Sequence, residues 1–249
     1  MNQILVTEKL YITPELKQKK KAYKVSFFLS IFAMIVLACA YVYAQYDRNR
    51  LAGLAEDILE KVMSGEIVQD TTIAPSENAL VVLMTDAQIA EENINQNVAL
   101  EQTDKNAISA GKFTDSKGNE YSIVGVVNIP KINSKYPIIA ETNEQLLKVS
   151  VCKFWGANPN EIGNLCIIGH NYKNSQFFSK VPTMVVGDIV EITDLSGKTV
   201  KYQAYDIYTV HPSDTRCTSQ LTQGKKEVTL ITCTNNTKQR VIVKCTEIL

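Results

Sequence analysis

Between Val25 and Ala44 twenty consecutive residues carry no charge. As a helix rising about 1.5 Å per residue, that run spans about 30 Å, the thickness of a bilayer core. A chain that contains it must fold in more than one environment. Lys17, Lys19, Lys20, Lys21 and Lys24 crowd the N-terminal side of the run. The positive-inside tendency therefore places residues 1–24 in the cytoplasm and everything after Ala44 outside the cell. Tyr41, Tyr43 and Tyr46 stand where interfacial aromatics belong. A cleaved secretory signal is the main competing reading, because Ala38-Cys39-Ala40 offers small residues for cleavage. Val36-Leu37-Ala38-Cys39 also faintly matches a lipoprotein box. The apolar run continues past both sites, so an uncleaved single-pass anchor over 25–44 is the expectation. A buried helix of a soluble core fits poorly beside the Lys cluster.

Charge divides the 249 residues further. Residues 1–24 carry six Lys against Glu8 and Glu15, net +4. Residues 47–105 carry twelve acids against Arg48, Arg50, Lys61 and Lys105, net −8, and residues 106–249 are net +4. The formal total is zero, so nothing draws the chain toward nucleic acid. Leu51, Leu54, Ala55, Ile58, Leu59 and Val62 recur at helical spacing, and Gly65 stops the pattern. Residues 66–120 are rich in Asn, Gln, Thr and acids, with one apolar patch over Ala79 to Met84. Residues 45–120 thus read as an extracellular helix followed by an acidic stalk or appendage.

From Tyr121 the texture becomes β-rich, and 121–249 reads as one domain. Strands are predicted over 121–129, 135–140, 150–155, 164–169, 188–193, 199–210, 227–233 and 240–247. Helical signals are confined to Glu144–Val149 and Ser175–Val181. Eight strands in so short a segment make the fold mainly β, a closed barrel or a sandwich. In 199–210 the alternation is plain, with Val200, Tyr202, Ala204, Asp206 and Tyr208 on one face, but which face is buried stays open.

Three strand ends carry chemistry. Thr229-Leu230-Ile231-Thr232-Cys233 is a β-branched and aliphatic run that ends on a thiol. Arg240 opens the next run, and His170 closes Leu165-Cys166-Ile167-Ile168-Gly169-His170. A thiol, an imidazole and a guanidinium are the parts of a cysteine-nucleophile acyl-transfer site. Alone, each has a plainer reading: a buried small hydrophobe, a structural histidine and an edge-strand arginine. The competing histidine is His211, just before Pro212. No Asp or Asn is an obvious orienter for His170, since Asn171 would point elsewhere on an extended backbone. Cys152, Cys166 and Cys245 lie in apolar runs and read as buried free thiols, although with Cys217 they would allow three disulfide pairings. No spacing fits a zinc site, so no metal or cofactor is expected, with calcium dependence left open.

In this order the motifs resemble the sortases, the cysteine transpeptidases of Gram-positive cell surfaces. Thr229 to Cys233 matches the TLxTC strand, Arg240 falls on the following strand, and Ile168-Gly169-His170-Asn171 matches the histidine motif. Val210-His211-Pro212-Ser213-Asp214 resembles a V-x-P-x-D segment, and Val127 to Asn133 followed by Tyr136-Pro137-Ile138 resembles the first strands. The resemblance covers roughly Tyr121 to Thr246. It implies an eight-stranded sortase barrel in which Cys233 attacks the scissile carbonyl of an LPxTG-type sorting signal. His170 would be the general acid and base, and Arg240 would hold the oxyanion with a backbone N–H near Thr234. Ile231, Thr232, Thr234, Pro212 and Asp214 would shape the substrate site. The partners implied are secreted proteins with a C-terminal sorting signal, and an amine from a peptidoglycan precursor or a pilin lysine. The loop from Pro212 to Glu227 is too short for the helical insertion of class B enzymes, so class A-like or D-like roles fit better. Two rivals remain at this level: a cysteine hydrolase that releases the acyl group to water, and a non-catalytic wall-binding module.

Overall fold

The computed structural model describes residues 14–68, 71–73, 108–172, 176–234 and 238–248. The Ala79–Met84 patch lies outside the described residues. Two compact units divide the chain, residues 1–50 and residues 51–249. The long helix α1 (Pro14–Met63) belongs to the first unit up to Arg50 and to the second from Leu51. In the first unit its apolar side chains are exposed on every side, Phe28, Leu29, Phe32 and Leu37 among them. It is long and apolar enough to cross a membrane. From Leu51 the same helix is amphipathic instead. Ala55 and Ile58 are buried, and Leu51, Leu54 and Val62 pack beside them. The helix stops as the spacing predicts: Gly65 takes a left-handed φ of 78°, and the Glu66 N–H donates back to the Lys61 carbonyl at 3.0 Å.

Strand β1 (Thr71–Ile73) pairs with β2 (Ile108–Thr114), and β2 pairs in turn with β3 (Glu120–Ile129), with Gly111 opposite Ile123. The sheet therefore begins ahead of Tyr121, where the change in composition sits. Seven more strands follow. They are β4 (Ser134–Ile139), β5 (Val151–Trp155), β6 (Gly163–Ile168), β7 (Ile189–Asp194), β8 (Thr199–Val210), β9 (Lys226–Cys233) and β10 (Arg240–Glu247). The spatial order is β3-β4-β5-β6-β9-β10-β8-β7. β7 then pairs back onto β3, from Gly125 opposite Asp194 to Asn128 opposite Glu191. The result is a closed eight-stranded barrel, not a sandwich, and closure removes the exposed strand edges. All pairings within it are antiparallel except β4–β5 and β6–β9. All eight strands predicted from Tyr121 onward are present. The helical signal over 144–149 shrinks to a single turn, Leu146–Lys148; residues 176–180 are not helical, and a single turn, Val181–Thr183, begins only at the last residue of the second signal.

Alternation sorts the side chains into an inner core and two outer ones. Val127, Ile138, Val151, Leu165, Ile167, Ile192, Tyr202, Leu230, Val241 and Val243 fill the barrel. On one outer face Ile58 of α1 packs with Phe113, Ile123, Ile139 and Cys152. On another, Phe154, Cys166, Cys217, Ile231 and Ile242 form a separate cluster, with Tyr208 and Val210 at its margin. The alternation read over the whole of 199–210 does not hold. A bulge at Tyr205, where Lys244 pairs with Asp206 and Cys245 with Ala204, inserts one residue. Tyr202 and Ala204 point inward before it, and Ile207 packs inward after it, so Tyr208 changes face.

Candidate active site

Within β9, Val228 and Leu230 enter the barrel core, and Ile231 packs on the outer cluster. With period-two alternation Cys233 shares the outer face with Ile231, and Thr232 points inward. Cys233 and Arg240 are directly opposed across the β9–β10 ladder. One step further on, the Thr234 N–H donates to the Gln239 carbonyl at 2.9 Å. Because the two pair types alternate, Cys233–Arg240 is a non-hydrogen-bonded pair, the type whose side chains stand closest, with Cα atoms about 4.5 Å apart. Both side chains are half-buried. Among the described residues no carboxylate pairs with Arg240, so its fork of N–H donors is not consumed by a neighbouring acid.

His170 arrives from the other side. β6 runs parallel to β9 with Ile168 opposite Ile231, and the Gly169 N–H continues the ladder to the Ile231 carbonyl at 3.1 Å. Two residues beyond Ile168, His170 comes level with Cys233. Gly169 is required where it stands: a Cβ there would meet the Phe178 ring and Val151 at 2.9 Å. Tyr172 stacks on the imidazole with centroids 4.8 Å apart and 28° between planes. His211 is placed differently. It follows Val210, which pairs with Arg240, so two strand spacings of about 4.8 Å separate it from the thiol's strand. It is exposed, and its Nδ1 is hydrogen-bonded to Ser213 Oγ at 2.7 Å. His170 stands one strand from Cys233, and His211 stands two.

Burial holds the pKa of His170 below its ordinary value, and Lys148 lowers it further, while Glu144 opposes them. The other domain cysteines are buried, and their thiols titrate high. Burial pushes Cys166 and Cys245 up to about 12, and raises Cys152 and Cys217 as well. No disulfide joins any described cysteine. A thiolate is the nucleophilic form, so these four are poor candidates for the chemistry. Cys233 alone among the domain cysteines is half-buried rather than buried.

The five residues expected to shape the substrate site fall in different places. Thr232 is buried, and its hydroxyl donates to the Gly169 carbonyl at 2.8 Å, one residue from His170. Ile231 is buried in the outer cluster. Thr234 lies at the rim, its hydroxyl 3.3 Å from the Gln239 carbonyl. Pro212 is half-buried beside His211. Asp214 is held in a two-pronged pair by Arg216, with Nη2 to Oδ2 at 2.6 Å, and this keeps its carboxyl below the usual range.

Sequence reasoning missed Asn164. It is fully buried in β6, and its Nδ2 donates to the carbonyls of Cys217 at 3.0 Å and Ser219 at 3.1 Å. Its Oδ1 accepts from the Thr229 hydroxyl at 2.7 Å. With Lys244 Nζ, 3.3 Å from the Cys217 carbonyl, it fastens the β8–β9 loop onto the outer cluster. An Asn inside an apolar strand was the available signal, because a buried amide must find partners.

Half-buried thiol, imidazole and guanidinium thus converge on one barrel rim. Among the described residues no cluster of three or more His, Cys, Asp or Glu could hold a metal. The family model of the sortase domain matches residues 127–248, which contain His170, Cys233 and Arg240. A Clostridium perfringens Sortase D5 transpeptidase is 31% identical, over 51% of this chain and 79% of its own, with a TM-score of 0.47. The chain belongs to the sortase family. Its enzymatic class is accordingly that of a cysteine transpeptidase. Similar solved structures include Streptococcus pneumoniae Sortase C, 28% identical over 51% of this chain and 67% of its own, TM-score 0.47. Sortase C-1 from Actinomyces oris is 26% identical over 50% and 73%, TM-score 0.46. No curated protein matches the chain. The sortase barrel runs from β3 to β10, with its rim at the end of β9.

Proposed function

We propose that this sortase is anchored by residues 25–44 with its barrel outside the cell, and that it cleaves an LPxTG-like sorting signal and joins the protein to a cell-wall amine. With its proton held by His170 as imidazolium, the Cys233 thiolate attacks the scissile carbonyl, forming a C–S bond as the carbonyl becomes an oxyanion. Arg240, directly opposite, faces the charge that develops there, as does a backbone N–H near Thr234. His170 protonates the departing amine, leaving a thioester on Cys233. It then takes a proton from the incoming amine, which attacks the thioester and releases the thiolate, restoring the starting pair. Its tuning below the ordinary histidine value suits the second step, in which a neutral imidazole must accept a proton. No metal takes part in this scheme.

The observation that carries the reading is the register: Arg240 opposite Cys233 on one side, and His170 level with it on the other. The full-length chain in detergent micelles, given an LPxTG-type peptide with and without an amine, tests it. A ligated product and a thioester trapped on Cys233 are expected. Hydrolysis alone across a panel of amines, including a lipid-linked wall precursor and a pilin-type lysine peptide, would make the chain a peptidase instead. Which amine is consumed distinguishes wall anchoring from pilin polymerisation.

A further inference from the structure

β6 ends at Ile168, yet its neighbour β9 continues to Cys233. In a parallel ladder a strand donates at every second residue. The Gly169 N–H donates to the Ile231 carbonyl, so the next rung would run from the N–H of residue 171 to the Cys233 carbonyl. That rung is filled by a side chain: Asn171 Nδ2 donates to the Cys233 carbonyl at 2.7 Å. Residues 170–171 also pair antiparallel with 177–178. The Phe178 N–H donates to the His170 carbonyl at 3.0 Å, and Asn171 forms an isolated antiparallel bridge with Phe177. Phe177 sits at a left-handed φ of 52°, and its own carbonyl accepts from Ser134 Oγ at 3.1 Å.

We propose that Asn171 is a positioning residue of this active site, its side-chain amide replacing the ladder N–H and tying the His170 segment to the last carbonyl of the nucleophile's strand. The proposal rests on the reading of Cys233 and His170 as nucleophile and acid–base group. Asn171 touches neither thiol nor imidazole in this role. It sets their separation, because one neighbour of its backbone bears the imidazole and its side chain grips the residue that bears the thiol. The Thr232 hydroxyl on the Gly169 carbonyl, 2.8 Å, is the second tie of the same clamp. An amide suits the position because its N–H reaches the carbonyl that a regular parallel ladder would pair with a backbone N–H. Aspartate of the same shape would set an acceptor against an acceptor.

The test uses the full-length chain in micelles with Asn171→Ala, Asn171→Asp and Asn171→Gln. Two readouts are compared: steady-state aminolysis, and the pH dependence of Cys233 alkylation by iodoacetamide, followed by peptide mass spectrometry. Misplacing a reacting group by about 1 Å costs on the order of a hundredfold, so kcat should fall about ten- to a hundredfold in the Ala and Asp variants with KM within about twofold. The alkylation profile should shift in the same two variants, and Gln, which keeps the donor on a longer arm, should recover part of both. Unchanged kcat and an unmoved alkylation profile in Ala and Asp would overturn the assignment. So would losses that simply track the fall in Tm across the three variants. Wild-type protein that alkylates at Cys233 but never aminolyses would sink the transpeptidase reading alone, and the alkylation profiles would still decide the role of Asn171.

Discussion

Burial keeps Cys152, Cys166, Cys217 and Cys245 in the thiol form, and their protection can be counted. Under native conditions iodoacetamide should label Cys233 before any of these four, and unfolding should expose all of them. Equal labelling of Cys166 and Cys233 in the native protein would contradict the burial described above. Arg240 faces the thiol from the opposing strand, and losing one oxyanion donor costs about 2.7–4 kcal/mol. Arg240→Ala should therefore lower kcat by about 10²–10³ with a native far-UV spectrum, and Arg240→Lys should recover only part, lacking the planar fork. A drop of less than about threefold would argue for a binding role only. His170 carries a pH prediction. Lys148 disfavours the imidazolium, so Lys148→Gln raises the His170 pKa and extends the protonated form to higher pH. The limb of the acylation rate that falls as His170 deprotonates should move up in pH. Glu144→Gln should move it down, because Glu144 favours the charged ring. Movement of both variants in one direction would rule this electrostatic account out.

At the scale of elements, β9 is held from both sides, and each face does separate work. Leu230 is fully buried in the barrel, and truncation to Ala should destabilise by about 2–5 kcal/mol, measured by urea titration. Thr232→Val keeps the shape but removes the donor to the Gly169 carbonyl, at a cost of about 1 kcal/mol. The Asn164 side chain is a buried tie of the β8–β9 loop, beside Lys244 and the Gln220 amide, which bonds the Asn164 backbone. Asn164→Leu would strand the Ser219 carbonyl and leave the Cys217 carbonyl and the Thr229 hydroxyl with longer contacts, Lys244 Nζ at 3.3 Å and each other at 3.5 Å. The loop should loosen, with faster amide exchange over 216–222 and weaker substrate binding, while β3–β5 keep their protection. Uniform loss of protection would mean that Asn164 supports the whole barrel instead. The bulge at Tyr205 is likewise an element-scale device: one extra residue turns Tyr208 toward the outer cluster, which strict alternation could not do.

At the scale of the molecule, helix α1 changes character along its length. Its N-terminal part shows apolar side chains all round, and its C-terminal part buries only one stripe, Ala55 and Ile58, against the outside of the barrel. Ile58→Asp should lower the Tm of the catalytic unit, since a fully buried aliphatic side chain would be exchanged for an uncompensated charge. An unchanged Tm would mean that the helix merely leads to the barrel. Strands and the long apolar helix could be read directly from the sequence because each is a local property. Period-two alternation, an uncharged twenty-residue run and motif order need no knowledge of what is far away. The same locality explains what was not legible. That the Asn171 amide donates to the Cys233 carbonyl could not be read, because this partner lies on another strand, 62 positions away in sequence. Asn164 and the bulge at Tyr205 acquire meaning only from partners on other strands. The sequence by itself determined a helix long and apolar enough to cross a membrane, an eight-stranded β domain and the kinds of side chain at its strand ends. Tertiary structure alone decided that β6 and β10 flank β9, because strand order and register arise from long-range hydrogen bonding and barrel closure, and it is that register that places imidazole and guanidinium on either side of one thiol.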